Sequence, residues 1–174
     1  RLAKINIDIF GRYKYDRLVV DSAGCSAFMK EYCQVFADDP RMAEKAKSFS
    51  AKVSEITEFL SEVGLVERPV GYDASITYHD PCHLVHTQGI SRQPREILEN
   101  IPGVKLVELN ESTWCCGSAG IYNLFRYKDS MTILDRKMRN IKSTGAQIVA
   151  TSNPGCHLQL QYGNIRNMTN VEVL

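Results

Sequence analysis

Six cysteines carry the chemistry this 174-residue chain most plainly offers: Cys25, Cys33, Cys82, Cys115, Cys116 and Cys156. Cys82 is separated from the adjacent pair Cys115-Cys116 by 32 residues, and Cys116 from Cys156 by 39. Thiolates are soft ligands that suit iron-sulfur clusters or zinc. The opening Arg1-Leu2-Ala3-Lys4-Ile5-Asn6 has neither an initiator Met nor the apolar middle of a signal peptide, and it reads as a piece cut from a longer protein. Without an export signal the cysteines are expected to be reduced. In such a compartment a cysteine cluster is more often metal-binding or catalytic than bridged.

The elements that must position these thiols follow from the residue patterns around them. Leu18-Val19-Val20 reads as a strand that delivers Asp21-Ser22-Ala23-Gly24-Cys25, a turn into a helix. Ser75-Ile76-Thr77-Tyr78-His79 delivers Asp80-Pro81-Cys82-His83 in the same way. Val104 to Leu109 leads to Trp114-Cys115-Cys116-Gly117, and Ile148-Val149-Ala150-Thr151 leads to Asn153-Pro154-Gly155-Cys156. Each cysteine site thus follows a strand, and ligands of open parallel sheets collect beyond the carboxyl ends of strands. Helix N-termini there favour thiolates through their partial positive charge. Two neighbouring cysteines in extended backbone point to opposite sides, so Cys115 and Cys116 serve one centre only if the chain turns. Gly117 and Gly120 supply that freedom.

Between these turns the pattern is helical. Met42, Ala46, Phe49, Val53, Ile56, Leu60 and Val63 recur every three or four positions, predicting one helix from Pro40 that stops at Gly64. Another runs from about Pro94 to Asn100, and a third carries Met131, Leu134, Met138 and Ile141 to a stop at Gly145. Strands alternating with helices predict an α/β fold of βαβ units with a mainly parallel sheet. Gly64 to Gly71, with Pro69 inside, is the expected linker. A weak internal repeat lays Leu18 to Cys25 over Val149 to Cys156, which divides the chain into residues 1–64 and 72–174.

Composition narrows the function. Lys+Arg 21 against Asp+Glu 20 gives a net charge of +1, no field for a phosphate backbone, so nucleic acid is not an expected partner. There is no apolar run of about 18 residues of the kind that crosses a bilayer. No Gly-x-Gly-x-x-Gly occurs, so neither a flavin nor a nicotinamide fingerprint is present. His79, His83, His86 and His157 lie beside Cys82 and Cys156, which keeps a Cys/His zinc site open. His83 and His86 are expected on one face of a helix. A nucleophilic enzyme built on Cys82, His79 and Asp80 is a weaker reading, because sequence neighbours make poor triad geometry. Trp114, Tyr122, Phe125 and Tyr127 are read as aromatic packing that shields the site.

Three phrases together carry a family resemblance: Tyr78-His79-Asp80-Pro81-Cys82, Cys115-Cys116-Gly117-Ser118-Ala119-Gly120, and Thr151-Ser152-Asn153-Pro154-Gly155-Cys156-His157-Leu158-Gln159-Leu160. They resemble the cysteine-rich CCG domain family, known from heterodisulfide reductases, and within it most closely the C-terminal part of glycolate oxidase iron-sulfur subunits. Ala23-Gly24-Cys25 with Met29-Lys30-Glu31-Tyr32 resembles the end of a preceding CCG repeat. The resemblance implies tandem CCG-type repeats, the first truncated at residues 1–64 and the second complete at 72–174.

It also implies an electron-transfer iron-sulfur subunit of an oxidoreductase acting on glycolate or another 2-hydroxy acid. Its cluster ligands would be Cys82, Cys115, Cys116 and Cys156, with Cys25 the surviving cofactor-binding member of the first set. The cofactor would be an iron-sulfur cluster of 4Fe-4S type, with a noncubane form in view, and zinc is the alternative. Full motifs of the family end in Cys-x-x-Cys, whereas Gln159 stands at that last position here, so a fifth thiolate is missing. Cys25 and Cys33 are expected to hold no metal. Expected partners are a flavin-containing subunit and, through it alone, a membrane at whose inner, cytoplasmic face the protein would work. The competing expectation is a non-redox docking domain, zinc-stabilised, that binds partner subunits.

Overall fold

In the computed structural model, which describes residues 1–67 and 69–174, two parallel sheets are flanked by helices. The elements in chain order are α1 (Leu2–Phe10), β1 (Leu18–Val20), α2 (Ala23–Lys30), α3 (Tyr32–Val35), α4 (Ala43–Ser50), β2 (Val53–Glu55) and α5 (Ile56–Val63). After them come β3 (Ala74–Tyr78), a π-helical turn (His83–Thr87), α6 (Arg92–Glu99), β4 (Val104–Leu106), α7 (Tyr122–Phe125), α8 (Tyr127–Thr144), β5 (Ile148–Ala150), α9 (Pro154–Asn167) and β6 (Glu172–Val173). The fold is α/β with parallel strands throughout, as the alternation of patterns predicts.

The larger sheet has the order β4-β3-β5-β6. From β3 the chain moves to one side, through α6 into β4; from β4 it crosses back, through α8, to β5 on the other side of β3. That reversal of direction makes the gap beyond the ends of β3 and β5 a topological switch point, where an open sheet leaves a crevice. Register pairs Ile76 with Ile148 and Tyr78 with Ala150, and the His79 amide continues the ladder to the Ala150 carbonyl at 2.9 Å. The strands' last residues therefore end level with one another.

The core that supports this sheet is built mostly by α8, whose Met131, Leu134, Met138 and Ile141 are buried against Val149, Leu160, Val171 and Val173. Cys116 and Cys156 belong to the same apolar cluster. α8 stops as expected at Gly145, whose φ of 66° is left-handed. α9 packs along α8, and the approach is tight: a Cβ on Gly163 would stand 2.8 Å from Met138 Sδ and 2.9 Å from Leu134 Cδ1. A second cluster, Ala3, Ile7, Tyr32, Met42, Ala46, Phe49 and Val53, fills the N-terminal part beneath the β1-β2 pair.

One predicted helix is two helices and a strand. The pattern from Pro40 to Val63 is broken at Val53-Ser54-Glu55, which pairs in parallel with Leu18-Val19-Val20 and is buried at all three positions. Helical periodicity at single apolar residues passes unaltered through so short a strand, so pairing with β1 overrides it. Glu55 then caps α5, its carboxylate accepting from the backbone N–H groups of Thr57 (2.7 Å) and Glu58 (3.3 Å). The expected strand from Val104 to Leu109 closes at Leu106, and Leu109 is a buried anchor in the loop beyond. Residues 64–67 and 69–73 carry no helix or strand, consistent with a connection, and residue 68 of the expected linker lies outside the described residues.

Candidate metal centre

Each site cysteine reaches the crevice by its own short route from a strand end. Cys82 follows β3 at the entry to the π-helical turn, and Cys156 is the third residue of α9, whose Pro154 starts the helix. Cys115 and Cys116 lie on the loop after β4. That loop turns sharply at Gly117, whose φ is 92°; a Cβ there would stand 2.6 Å from the Ser130 carbonyl oxygen. The turn presents both adjacent sulfurs to one side. Together with His79, Cys25, His83, Ser118 and Asn153 they line a cavity of about 220 Å³.

The surrounding structure holds these turns with polar contacts that residue patterns alone do not reveal. Asp80 is 1% exposed, and its carboxylate accepts two hydrogen bonds from Arg95, at 2.9 and 2.8 Å. Arg95 also donates to Glu108 at 2.9 Å, so α6 fastens both the β3 turn and the loop after β4. Lys137, buried on α8, donates to the carbonyls of Glu111 (2.6 Å) and Ser112 (3.1 Å), and the Ser112 carbonyl also accepts from the Asp80 amide at 3.2 Å. Burial lowers the Lys137 ammonium to about 8. Arg136 stacks on Trp114 at 4.1 Å and pairs with Glu111.

Gln159 occupies the position where the family motif would place its last cysteine, and its side chain turns away from the sulfurs. Its amide nitrogen donates to Ser130 Oγ at 3.1 Å, its oxygen accepts from Asn123 at 3.0 Å, and Ser130 Oγ donates to the Gly117 carbonyl at 2.8 Å. Gln159 therefore braces the double-cysteine turn from behind and supplies no donor to the centre.

The four thiols are close enough to control one another's ionisation. Cys115 is pushed down by the neighbouring thiols of Cys116 and Cys82 and by the Gly117 N–H at 3.3 Å. Cys156 is pushed down to about 5 by Cys116, with His79 and Asn153 also favouring its thiolate. Cys82 is pushed up by Cys115 and by burial, and Cys116 by Cys115, Cys156 and burial. Such a row sheds its first protons easily and its last ones hardly at all, because adjacent thiolates in an apolar wall repel. A multivalent cation relieves that repulsion. Four sulfurs around one cavity, neighbouring one another in the succession Cys82, Cys115, Cys116, Cys156, are the donor types of an iron-sulfur or zinc centre, and the residues fit it.

Other predicted participants are distributed less evenly. His79 is 1% exposed, and its ring nitrogen, Cys116 Sγ and Cys156 Sγ all lie within 4.8 Å of one another. His83 Nδ1 is 3.5 Å from Cys82 Sγ. His86 does not join it: in a π-helical turn residues three apart diverge, and His86 is exposed off the cavity. His157 Nε2 is 3.1 Å from the Val173 carbonyl. Cys25 lines the cavity from α2, whereas Cys33 lies in the N-terminal part, against the Lys30 carbonyl at 3.5 Å. The expected aromatic shield fails in part, since Phe125 is 77% exposed and Tyr127 48%. Phe125 ends the four-residue α7 and Tyr127 opens α8, so both rings sit at helix ends on the surface.

Comparisons with known proteins point to iron-sulfur chemistry. Residues 76–161 match the family model described as a cysteine-rich domain, CCG. The chain is 38% identical over 164 residues to a probable glycolate oxidase iron-sulfur subunit of Bacillus subtilis, covering 93% of this chain and 37% of that protein. It is 33% identical over 161 residues to lactate utilization protein A of Halalkalibacterium halodurans, covering 92% of this chain and 65% of that one. An uncharacterized iron-sulfur protein of Methanococcus maripaludis is 35% identical over 162 residues, with 92% of this chain and 30% of that protein covered. The chain thus spans between about a third and two thirds of these relatives. They support iron-sulfur chemistry and give the zinc alternative no support. No helix among the described residues is long and apolar enough to cross a membrane.

Proposed function

Because residues 76–161 are a cysteine-rich domain of the CCG family, we propose that the chain is the cluster-holding part of an iron-sulfur subunit in a system that oxidises glycolate or another 2-hydroxy acid. The observation that carries this reading is the gathering of Cys82, Cys115, Cys116 and Cys156 around one cavity at the switch point of the sheet. These four thiolates would hold a 4Fe-4S-type cluster, which when bound takes up and passes on single electrons. Cys25, which lines the same cavity, would border the cofactor without ligating it. The names of the relatives favour 2-hydroxy acids as the parent system's substrates. Electrons would come from a flavin-containing partner subunit, with the membrane reached only through partners on the cytoplasmic side. Residues 1–64 are read as the end of a first repeat and 72–174 as a complete second one.

The chain's own residues do the positioning. Asp80 and Arg95 hold the Cys82 turn, Lys137 holds the loop that leads to Cys115, and Gln159 with Ser130 fixes the bend at Gly117. The apolar wall around Cys116 and Cys156 limits water at the sulfurs. The test is iron, acid-labile sulfide and zinc on anaerobically purified protein, beside Cys116→Ser and Cys156→Ser. Iron and sulfide in near-equal amounts, lost in both variants, are expected. Zinc without sulfide, or iron unchanged in the variants, would sink the reading.

A further inference from the structure

His79 is buried at the centre and has no polar partner of its own. It is 1% exposed, and among the described residues neither Nδ1 nor Nε2 has a hydrogen-bond partner. Burying a polar group unsatisfied is costly, about 1–3 kcal/mol for a lost partner, so such a side chain calls for a ligand. The imidazole lines the cavity, and its ring nitrogen lies within 4.8 Å of the sulfurs of both Cys116 and Cys156.

Most other nitrogen and oxygen donors nearby are engaged elsewhere, and His83, which also lines the cavity, is exposed and lies beside Cys82, its Nδ1 3.5 Å from that sulfur. Gln159 is bound to Ser130 and Asn123. Asp80 is held by Arg95, and Asn153 donates to Cys156 Sγ at 3.4 Å while accepting from the Gly24 amide at 3.2 Å. His157 is paired with the Val173 carbonyl. A neutral imidazole offers one nitrogen lone pair and adds no charge, which matters where four thiolates already crowd an apolar wall. Backbone fixes its place: the His79 amide is hydrogen-bonded to Ala150, locking the residue between the strands that deliver Cys82 and Cys156.

We propose that His79 is a nitrogen ligand of the centre, giving a donor set of four thiolates and one imidazole where the family motif would use a fifth thiolate; five donors exceed the four terminal positions of a cubane, so the cluster would be of the noncubane form. This rests on the cluster reading above. Replacing a thiolate by imidazole makes the donor set less negative, and the reduced form is then easier to reach. His79 also spans the two strands of the switch point, so it ties Cys116 and Cys156 to the same metal.

The test uses the intact protein grown with 15N-histidine, purified anaerobically, assayed for iron and sulfide, and brought to a paramagnetic oxidation state. Pulsed EPR should show a directly coordinated histidine nitrogen whose coupling changes between 14N and 15N samples. His79→Cys should retain iron and sulfide, lose that coupling and shift the midpoint potential downward, while Cys33→Ser, away from the cavity, should leave the coupling intact. A centre with iron and sulfide but no coordinated histidine nitrogen would overturn the assignment to His79 alone. The same follows if the coupling survives in His79→Cys. Protein without iron and sulfide would overturn the cluster reading and this ligand with it.

Discussion

Asp80 shows how a residue beside the thiols can matter more to their geometry than to their chemistry. Its carboxylate is almost fully buried and held by both arms of Arg95, itself only 18% exposed. Asp80→Asn removes the buried charge while Arg95 keeps Glu108, so it should cost about 1–3 kcal/mol. Denaturant unfolding of the metal-free protein measures it. Lys137 makes a pH prediction. Unfolded, it keeps its proton to about 10.5; folded, it releases it near 8. Between those values the unfolded chain binds more protons, so stability should rise with pH across that window. Lys137→Met should remove that slope, read from unfolding midpoints at several pH values. The sequence discloses the thiols and marks His79 and Asp80 as their neighbours, but not what Asp80, Lys137 or Gln159 hold in place. Cysteine spacing is visible in a string, whereas the isolation of His79 and the brace made by Gln159 depend on which neighbours are absent or present in space.

At the scale of elements, the bend at Gly117 and the contact at Gly163 call for glycine for different reasons. Gly117 has left-handed backbone and meets a carbonyl oxygen that cannot move aside, so Gly117→Ala should destabilise the protein and reduce iron retention together. Gly163 is helical and meets the flexible end of Met138, with Leu134 beside it. Gly163→Ala should therefore cost about 1–3 kcal/mol in thermal or denaturant unfolding while leaving iron content intact. Losses of iron in both variants alike would show that the turn has no special role. The strands at β1, β3, β4 and β5 were legible because β-branched runs end in turn residues. β2 was not, since three residues of strand cannot interrupt a helical period. The π-helical turn was hidden too, because its hydrogen-bond spacing leaves no mark on hydrophobicity.

The molecule as a whole is joined where its two sheets meet. The Ala23 amide donates to the Ser152 carbonyl at 3.3 Å and the Gly24 amide to Asn153 Oδ1 at 3.2 Å, while Gln88 Nε2 donates to the Ala23 carbonyl (3.1 Å) and Ser26 Oγ (2.9 Å). Ala23, Leu84 and Ile90 seal the seam with a small apolar cluster. Asn153→Ala should raise amide hydrogen exchange at residues 23–26 without altering that of α4, and unchanged exchange there would show that the seam does not depend on Asn153. The parallel α/β class was readable from alternation alone, but no pattern in the sequence placed α2 against the start of α9. The same seam bears on how the protein is made. On the ribosome, Cys25, Cys82 and the Cys115-Cys116 pair emerge long before residues 148–173, and neither β5 nor Cys156 exists to receive them. Every nascent chain therefore passes through an interval with most of its sulfurs ungathered, and a centre that needs all four thiols could not be complete before Cys156 is made.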